Sequence, residues 1–240
     1  MKYNSLIIIP TYNESENIEL IINKIIDLDN SNDILVVDDN SPDGTYEIVK
    51  KIKSSNNERV FIIKRESKSG LGSAYKVGFK WALEKNYNYI FEMDADMSHN
   101  PRDIKDLKIE LIQNKFDVVI GSRYLNGVSV VNWPLSRIFL SYFANFYVRI
   151  ITGMPVKDAT SGFVGYTNQA LSSIKLSEIK FNGYAFQIEM KFKLWKKKFK
   201  LKEHQIIFVN RKLGKSKMNQ NIIFEAILGV IKLKINSFFK

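Results

Sequence analysis

The rhythm of the first 120 residues constrains this chain most, because short β-branched runs alternate there with helical patterns. Such alternation is the signature of βα units folding onto a mainly parallel sheet. Strands are expected at Leu6–Ile9, Ile34–Asp38, Val60–Lys64, Tyr89–Met93 and Val118–Gly121. Helices are expected at Glu16–Leu28, Tyr46–Ser54, Gly72–Lys85 and Pro101–Asn114, the last opening with proline near its first turn. The segments leaving the strands' carboxyl ends read Pro-Thr-Tyr-Asn-Glu, Asp-Asp-Asn-Ser-Pro-Asp-Gly and Asp-Ala-Asp. Ligands of open α/β sheets bind in the crevice at those ends, so these polar residues stand where a site is expected. With 240 residues and no repeat, low-complexity tract or Pro/Gly/Ser-rich linker, residues 1–240 read as one domain.

Composition then excludes several chemistries. Cysteine is absent, which rules out a disulfide scaffold, thiol catalysis and zinc sites with sulfur ligands. His99 and His204 are the only imidazoles, too few for a three-histidine metal site. Residues 1–120 carry 16 basic and 20 acidic side chains, whereas 121–240 carry 20 basic and five acidic ones. The net charge of +11 is therefore a C-terminal property, and it implies an anionic partner for that half. The acidic half suits a cation or sugar hydroxyls. Ser5–Pro10 is too short an apolar run for a signal peptide, so the start reads as cytoplasmic.

After Gly121 the pattern changes. Trp133–Ile151 is apolar and aromatic, yet Arg137, Ser141, Asn145 and Arg149 recur every four residues as a polar stripe on one helix face. Only eleven residues separate the two arginines, too few to span a bilayer. Two readings follow, a helix lying in a membrane interface or one buried between layers. Ile222–Phe239 is likewise apolar but broken by Glu225, Lys232 and Lys234, which makes it amphipathic rather than spanning.

Four segments carry chemistry. Asp94-Ala95-Asp96 ends an apolar strand; if extended geometry continues, both carboxylates face one side and Ala95 the other. Two hard oxygen ligands with open positions suit Mg²⁺ or Mn²⁺ holding a diphosphate. Val37–Thr45 is a turn rich in carboxylates, with Asp39 available to a nucleoside and Asp43 to the backbone. Lys68–Ser73 lacks the Gly-Lys-Ser/Thr ending of a P-loop and the third glycine of a dinucleotide fingerprint, so it reads as a flexible helix entry. Arg211–Lys217 gathers four cations around Gly214 after an expected strand Gln205–Val209, which suits a diphosphate leaving group. Lys191–Lys202 reads instead as the solvated basic face of a helix.

Taken in order, these blocks resemble the family 2 glycosyltransferases of the GT-A fold, and within them the polyprenol-phosphate (dolichol-phosphate) mannosyltransferases. The resemblance spans nearly the whole chain, through Ile-Pro-Thr-Tyr-Asn-Glu (9–14), Val-Val-Asp-Asp-Asn-Ser-Pro-Asp-Gly-Thr (36–45), Gly-Leu-Gly-Ser-Ala-Tyr (70–75), Asp-Ala-Asp-Met-Ser-His (94–99), Gly-Ser-Arg-Tyr (121–124), Asp-Ala-Thr-Ser-Gly-Phe (158–163), Tyr-Ala-Phe-Gln-Ile-Glu-Met (184–190) and Arg211–Lys217. It implies a Rossmann-like α/β fold, a mainly parallel sheet flanked by helices, with C-terminal amphipathic helices. Residues 1–120 would bind the nucleotide sugar and 121–240 would face acceptor and membrane. Pro10, Tyr12, Glu14, Val37 and Asp39 would hold the nucleoside, and Asp94, Ala95 and Asp96 the diphosphate. Asp94, Asp96 and Ser98 would surround an Mg²⁺ or Mn²⁺ cofactor. Arg211 and Lys217 would close over the donor, while Arg123, Arg137 and Ser141 would receive the acceptor's phosphate. Asp96, Arg123 and Arg211 would thus carry catalysis.

The implied reaction moves mannose from GDP-mannose to a polyprenyl phosphate with inversion. Another nucleotide sugar, such as UDP-glucose or UDP-GlcNAc, or a glycan acceptor is the alternative, and a basic nucleic-acid-binding protein is a remote one. The processive-synthase signature Gln-x-x-Arg-Trp is absent. Many family members carry transmembrane helices after the catalytic domain. None is visible here, so the expectation is peripheral attachment at the cytoplasmic face of the cell membrane (or endoplasmic reticulum), or a separate small membrane subunit.

Overall fold

The computed structural model describes residues 4–28, 31–55, 58–211 and 220–237. The first strands are apolar on both faces, which only a strand covered on both sides tolerates. In β1 (Ser5–Thr11), Leu6 and Ile8 point into one core while Ile7 and Ile9 point into the other. The same two-fold alternation divides Leu35 and Val37 from Ile34 and Val36 in β2 (Asn32–Asp38).

Five further strands complete the main sheet: β3 (Val60–Lys64), β4 (Tyr89–Glu92), β5 (Val118–Ser122), β7 (Val164–Thr167) and β8 (Leu201–Gln205). Their order is β3-β2-β1-β4-β7-β5-β8, and every neighbouring pair is parallel except the two that involve β7. A two-strand parallel pair, β6 (Val130–Val131) with β9 (Phe208–Val209), stands apart. Helices α1 (Ile18–Leu28), α2 (Thr45–Ser55) and α4 (Asp103–Ile112) cover one face. Helices α3 (Leu71–Glu84), α6 (Asn168–Ser172) and α7 (Tyr184–Lys196) cover the other, and α5 (Leu135–Thr152) and α8 (Gln220–Asn236) pack beside it.

The α3 interface shows how closely helix and sheet approach. A Cβ on Gly78 would sit 2.6 Å from Ile8 Cγ2, and Ile8 is wholly buried in β1. Alanine normally favours a helix by about 1 kcal/mol. Here the clash decides the sign, and Gly78→Ala is expected to cost ~1–3 kcal/mol in urea unfolding. A stabilised variant would show that the helix stands off further.

Two expectations need correction, and one strand was not foreseen. Val164–Thr167 is an antiparallel strand wedged between β4 and β5, although its local sequence has no strand-length alternation. The expected strand Gln205–Val209 is split: Gln205 closes β8, Ile206 and Ile207 turn out of the sheet, and Phe208–Val209 pairs with β6. The solvated basic face over Lys191–Lys202 does not form, because α7 ends at Lys196 and Leu201 opens β8. Lys191 lies on the face that buries Phe192 and Leu194 and is itself 0% exposed.

Candidate active site

The carboxyl ends of β1, β2 and β4 converge as parallel topology requires. At the β1–β2 end, Asp38 is fully buried and accepts hydrogen bonds from Thr11 Oγ1 (2.8 Å), Ser41 N (2.9 Å) and Ser41 Oγ (2.6 Å). Asp43 caps the next helix, accepting from Thr45 N and Oγ1 and from Ser15 N. Burial works against its ionisation, but these donors prevail and hold its carboxyl at about 2. Asp39 pairs with Arg65 at 2.9 Å, while burial pushes its pKa up against that pairing. Pro10, Tyr12 and Glu14 line the same end, with the Lys68 ammonium 4.2 Å from the Tyr12 ring centroid. Val37 is fully buried, so its side chain belongs to the core and only its backbone can meet a ligand.

The Asp94-Ala95-Asp96 segment is not a continued strand. β4 ends at Glu92, and the chain bends through residues 95–97 with Met97 at φ 62°. Ser98 N donates to Asp96 Oδ1 at 3.0 Å, the local bond that favours such a turn over a ladder. The two carboxylates nevertheless converge. Burial and the neighbouring Asp96 charge push Asp94 up to about 7, with Glu14 adding to the rise and Arg211 and Arg123 opposing it. Asp94 Oδ1 stands 3.8 Å from where a Cβ on Gly162 would be, so glycine keeps that wall open.

Among the described residues no three acidic or histidine side chains form a metal cage. Two carboxylates with repelling charges still fit a divalent cation that takes its remaining ligands from substrate phosphates and water. Ser98 is buried beside them. Arg211 fills the electrostatic need here, with Nη2 2.7 Å from Asp96 Oδ2. Both line a cavity of about 660 Å³ that also takes in Asn17, Lys24 and Asn210. Lys217 lies outside the described residues. His99 is buried against Phe163 and pushed down to about 4 by that burial, so it stays uncharged near neutrality.

On the other side of the cleft, Arg123 leaves β5 and is clamped by Asp158. Arg123 Nε and Nη2 donate to the Asp158 carboxylate at 2.7 and 2.6 Å, and its backbone N–H donates at 2.9 Å. Nη2 also donates to Thr160 Oγ1 at 2.8 Å, and Thr160 is held in turn by Asn145 of α5. Arg137 stacks on Trp133 with its guanidinium carbon 3.9 Å from the ring centroid, and Arg123 lies over the same ring at 5.5 Å. Arg137 Nη1 donates to Asn210 Oδ1 at 3.0 Å. Ser141 interacts with the Tyr124 hydroxyl, next to both arginines. The structure thus brings Arg123 and Arg137 together at Trp133, with Ser141 beside Tyr124.

Sequence reasoning missed what holds them: Asp158, Thr160, Asn145, Trp133 and Asn210. The Asp-x-Thr spacing at 158–160 was the available signal, since residues two apart in a turn can share one guanidinium. Nothing local marks Trp133 or Asn210, which reach the site only through tertiary packing.

A family model described as glycosyl transferase family 2 matches residues 6–175. The chain is 41% identical over 226 residues to a polyprenol monophosphomannose synthase of Mycolicibacterium smegmatis, covering 94% of this chain and 85% of that protein. It is 40% identical over 227 residues to an undecaprenyl-phosphate mannosyltransferase of Micrococcus luteus, covering 95% and 92%. Among solved structures it resembles glucosyl-3-phosphoglycerate synthase of Mycobacterium tuberculosis, in complex with Mn²⁺, UDP and glucosyl-3-phosphoglycerate, with TM-score 0.71, 15% identity and coverage of 96% and 80%. It also resembles a mannosyltransferase of Pyrobaculum calidifontis in complex with GDP-mannose and Mn²⁺, with TM-score 0.62, 14% identity and coverage of 96% and 69%.

Proposed function

The chain belongs to glycosyl transferase family 2, and on that footing we propose that it transfers mannose from GDP-mannose to a polyprenyl phosphate, releasing GDP. The observation that carries the acceptor assignment is the pair Arg123 and Arg137 gathered at the Trp133 ring, with Arg123 near enough to Asp94 to act on its charge. Two guanidiniums gathered beside a carboxylate pair suit a phosphate that must approach a second, metal-bound phosphate group.

The nucleoside end would take GDP through Pro10, Tyr12, Glu14, the Val37 backbone and Asp39. Asp94 and Asp96, with Ser98, would hold Mg²⁺ or Mn²⁺, which when bound offsets charge on the departing diphosphate. Arg211 is the protein's own cation at that place; on donor binding it would trade Asp96 for diphosphate, and Lys217 would join it. Arg123 and Arg137 would orient the acceptor oxygen toward the anomeric carbon. A phosphate monoester has a second pKa near ~6, so this nucleophile is already anionic and needs no general base. His99, kept neutral by burial, is accordingly free of that duty. A single in-line displacement through an oxocarbenium-like state inverts the centre, giving a β-linked product from the α-linked donor.

The orientation of α5 supports peripheral attachment to a membrane. Of its polar stripe, Asn145 is buried in the Thr160 network and Arg137 and Ser141 are half-buried, while Arg149 at the helix end is exposed. Its apolar stripe faces out, with Leu135 70%, Phe139 57%, Phe143 60% and Ile150 62% exposed. On α8, Leu228, Ile231 and Ile235 are exposed alongside. This is the reverse of a solvent-facing helix and suits burial in a headgroup layer, which delivers lipid phosphate to Arg137. No described helix is long and apolar enough to cross a membrane.

The test is a panel of GDP-mannose, UDP-glucose and UDP-GlcNAc with undecaprenyl and dolichyl phosphate, with and without Mg²⁺ or Mn²⁺, read by product mass and anomeric configuration. An α-linked product or a covalent glycosyl-enzyme would overturn the mechanism. Arg137→Ala is expected to raise the KM for lipid phosphate ~10-fold or more, the worth of one charge-assisted contact, with the donor KM within twofold. Equal loss on both substrates would remove Arg137 from the acceptor site.

A further inference from the structure

Lys191 is a fully buried ammonium that the mechanism above does not use. Its Nζ donates to the Ser161 carbonyl at 2.8 Å, to Gln187 Oε1 at 3.0 Å and to the Gln187 carbonyl at 3.3 Å. The Gln187 amide donates in turn to Glu92 Oε2 at 2.6 Å, and Tyr166 OH reaches Glu92 Oε1 at 3.4 Å. Glu92 is itself 0% exposed and lies two residues before Asp94. Lys191 therefore bridges α7 to two places: the end of β4, through Gln187, and the 158–162 turn, through Ser161. That turn carries Asp158 and Thr160, which orient Arg123.

The two places differ in what else holds them. β4 is fixed by ladders to β1 and β7, independently of Lys191. The turn lies outside any ladder and depends on side-chain and carbonyl bonds from Gly121, Arg123, Asn145, Glu203 and Lys191. Lys191 is the charged donor of that set that lies outside the acceptor clamp, and its charge-assisted bond in a dry interior stiffens the turn at Ser161 separately from Arg123. A long, flexible side chain with its ammonium buried and every proton directed has its geometry over-determined, which suits positioning rather than solubility.

We propose that Lys191 is a positioning residue for the acceptor side of the cleft: it pins the Ser161 carbonyl so that Asp158 presents Arg123 to the lipid phosphate. The proposal rests on the acceptor reading above, and asymmetry is its signature. Loss of the tether should loosen the acceptor clamp while leaving the donor side on its sheet.

The experiment compares Lys191→Met with the double variant Lys191→Met/Glu92→Gln. The single variant leaves buried Glu92 without its cationic neighbour and should unfold earlier; the second change makes that position permanently neutral and should restore most of the melting temperature. In both variants KM for undecaprenyl phosphate should rise ~10-fold and KM for GDP-mannose stay within twofold, the loss expected of one charge-assisted bond. Amide exchange of residues 158–163 should quicken in both. If the acceptor KM recovers together with the melting temperature, Lys191 merely balances charge and the proposal falls. Unchanged exchange in the double variant overturns it as well, whichever substrates the enzyme uses. Failure of the wild-type protein to use undecaprenyl phosphate would instead sink the acceptor reading, with the exchange measurement still deciding whether Lys191 tethers the turn.

Discussion

Asp96→Ala is expected to lower sugar transfer by about three orders of magnitude, since a bound divalent cation supplies several kcal/mol of charge stabilisation and each ~1.4 kcal/mol is a factor of ten. Folding should barely change. Asp96 meets Arg211 at 2.7 Å, but Arg211 is 26% exposed and can return to water when the carboxylate is gone. The Ser98 N–H loses its acceptor, a cost of about 1 kcal/mol. Asp96→Asn separates charge from shape: it keeps an oxygen for Ser98 N but cannot balance a dication, so its transfer rate should match alanine's while its stability matches the wild type. Transfer within tenfold of wild type at saturating Mn²⁺ would remove Asp96 from the metal site. Weakened Mn²⁺ binding, followed by paramagnetic resonance with GDP present, is the direct check that does not depend on turnover.

What the sequence allowed one to read follows from the range of the interactions concerned. The parallel half of the sheet was legible because β-branched runs and helix periods are local, and β1 to β5 fall within a few residues of expectation. The strand-end polar residues were legible for the same reason, since parallel topology alone delivers Glu14, Asp39 and Asp94 to one edge. Asp96 was singled out on the wrong geometry. A strand would have aimed it by alternation, whereas a left-handed Met97 and an Asp96–Ser98 turn aim it in fact. The antiparallel strand β7 was illegible because only four residues carry it and its burial comes from neighbours on both sides. Lys191 misled for a more general reason. A lysine run looks solvated in any window, and only the docking of α7 decides which ammonium is turned inward to meet Ser161 and, through Gln187, Glu92.

Arg123 is where stability and function are hardest to separate, and the physical chemistry supplies a way. Arg123→Ala removes both side-chain arms of a clamp on a carboxylate that is 0% exposed, leaving the backbone N–H of residue 123 and the more distant Thr160 hydroxyl, at 3.3 Å, as donors. Breaking a buried pair on one side costs ~3–5 kcal/mol. Burial pushes Asp158 up, yet the Arg123 guanidinium outweighs it and holds the carboxyl below its ordinary range. A depressed carboxylate contributes stability that is present above its unfolded pKa and lost as pH falls through its folded one. Without the guanidinium, burial dominates and the sign reverses, so in the variant Asp158 destabilises the fold as pH rises above ~4. The stability gap between wild type and Arg123→Ala should therefore be widest at neutral pH, narrow as pH drops toward ~4 and close only below the depressed folded pKa of Asp158, measured by urea unfolding across that range. Adding Asp158→Asn should remove most of the gap at neutral pH, because the stranded charge is gone. It should not restore transfer, which remains at least ~100-fold down for want of a cation at the acceptor phosphate. Recovery of turnover in the double variant would mean that Arg123 only braces the 158–162 turn, and that Arg137 meets the phosphate alone.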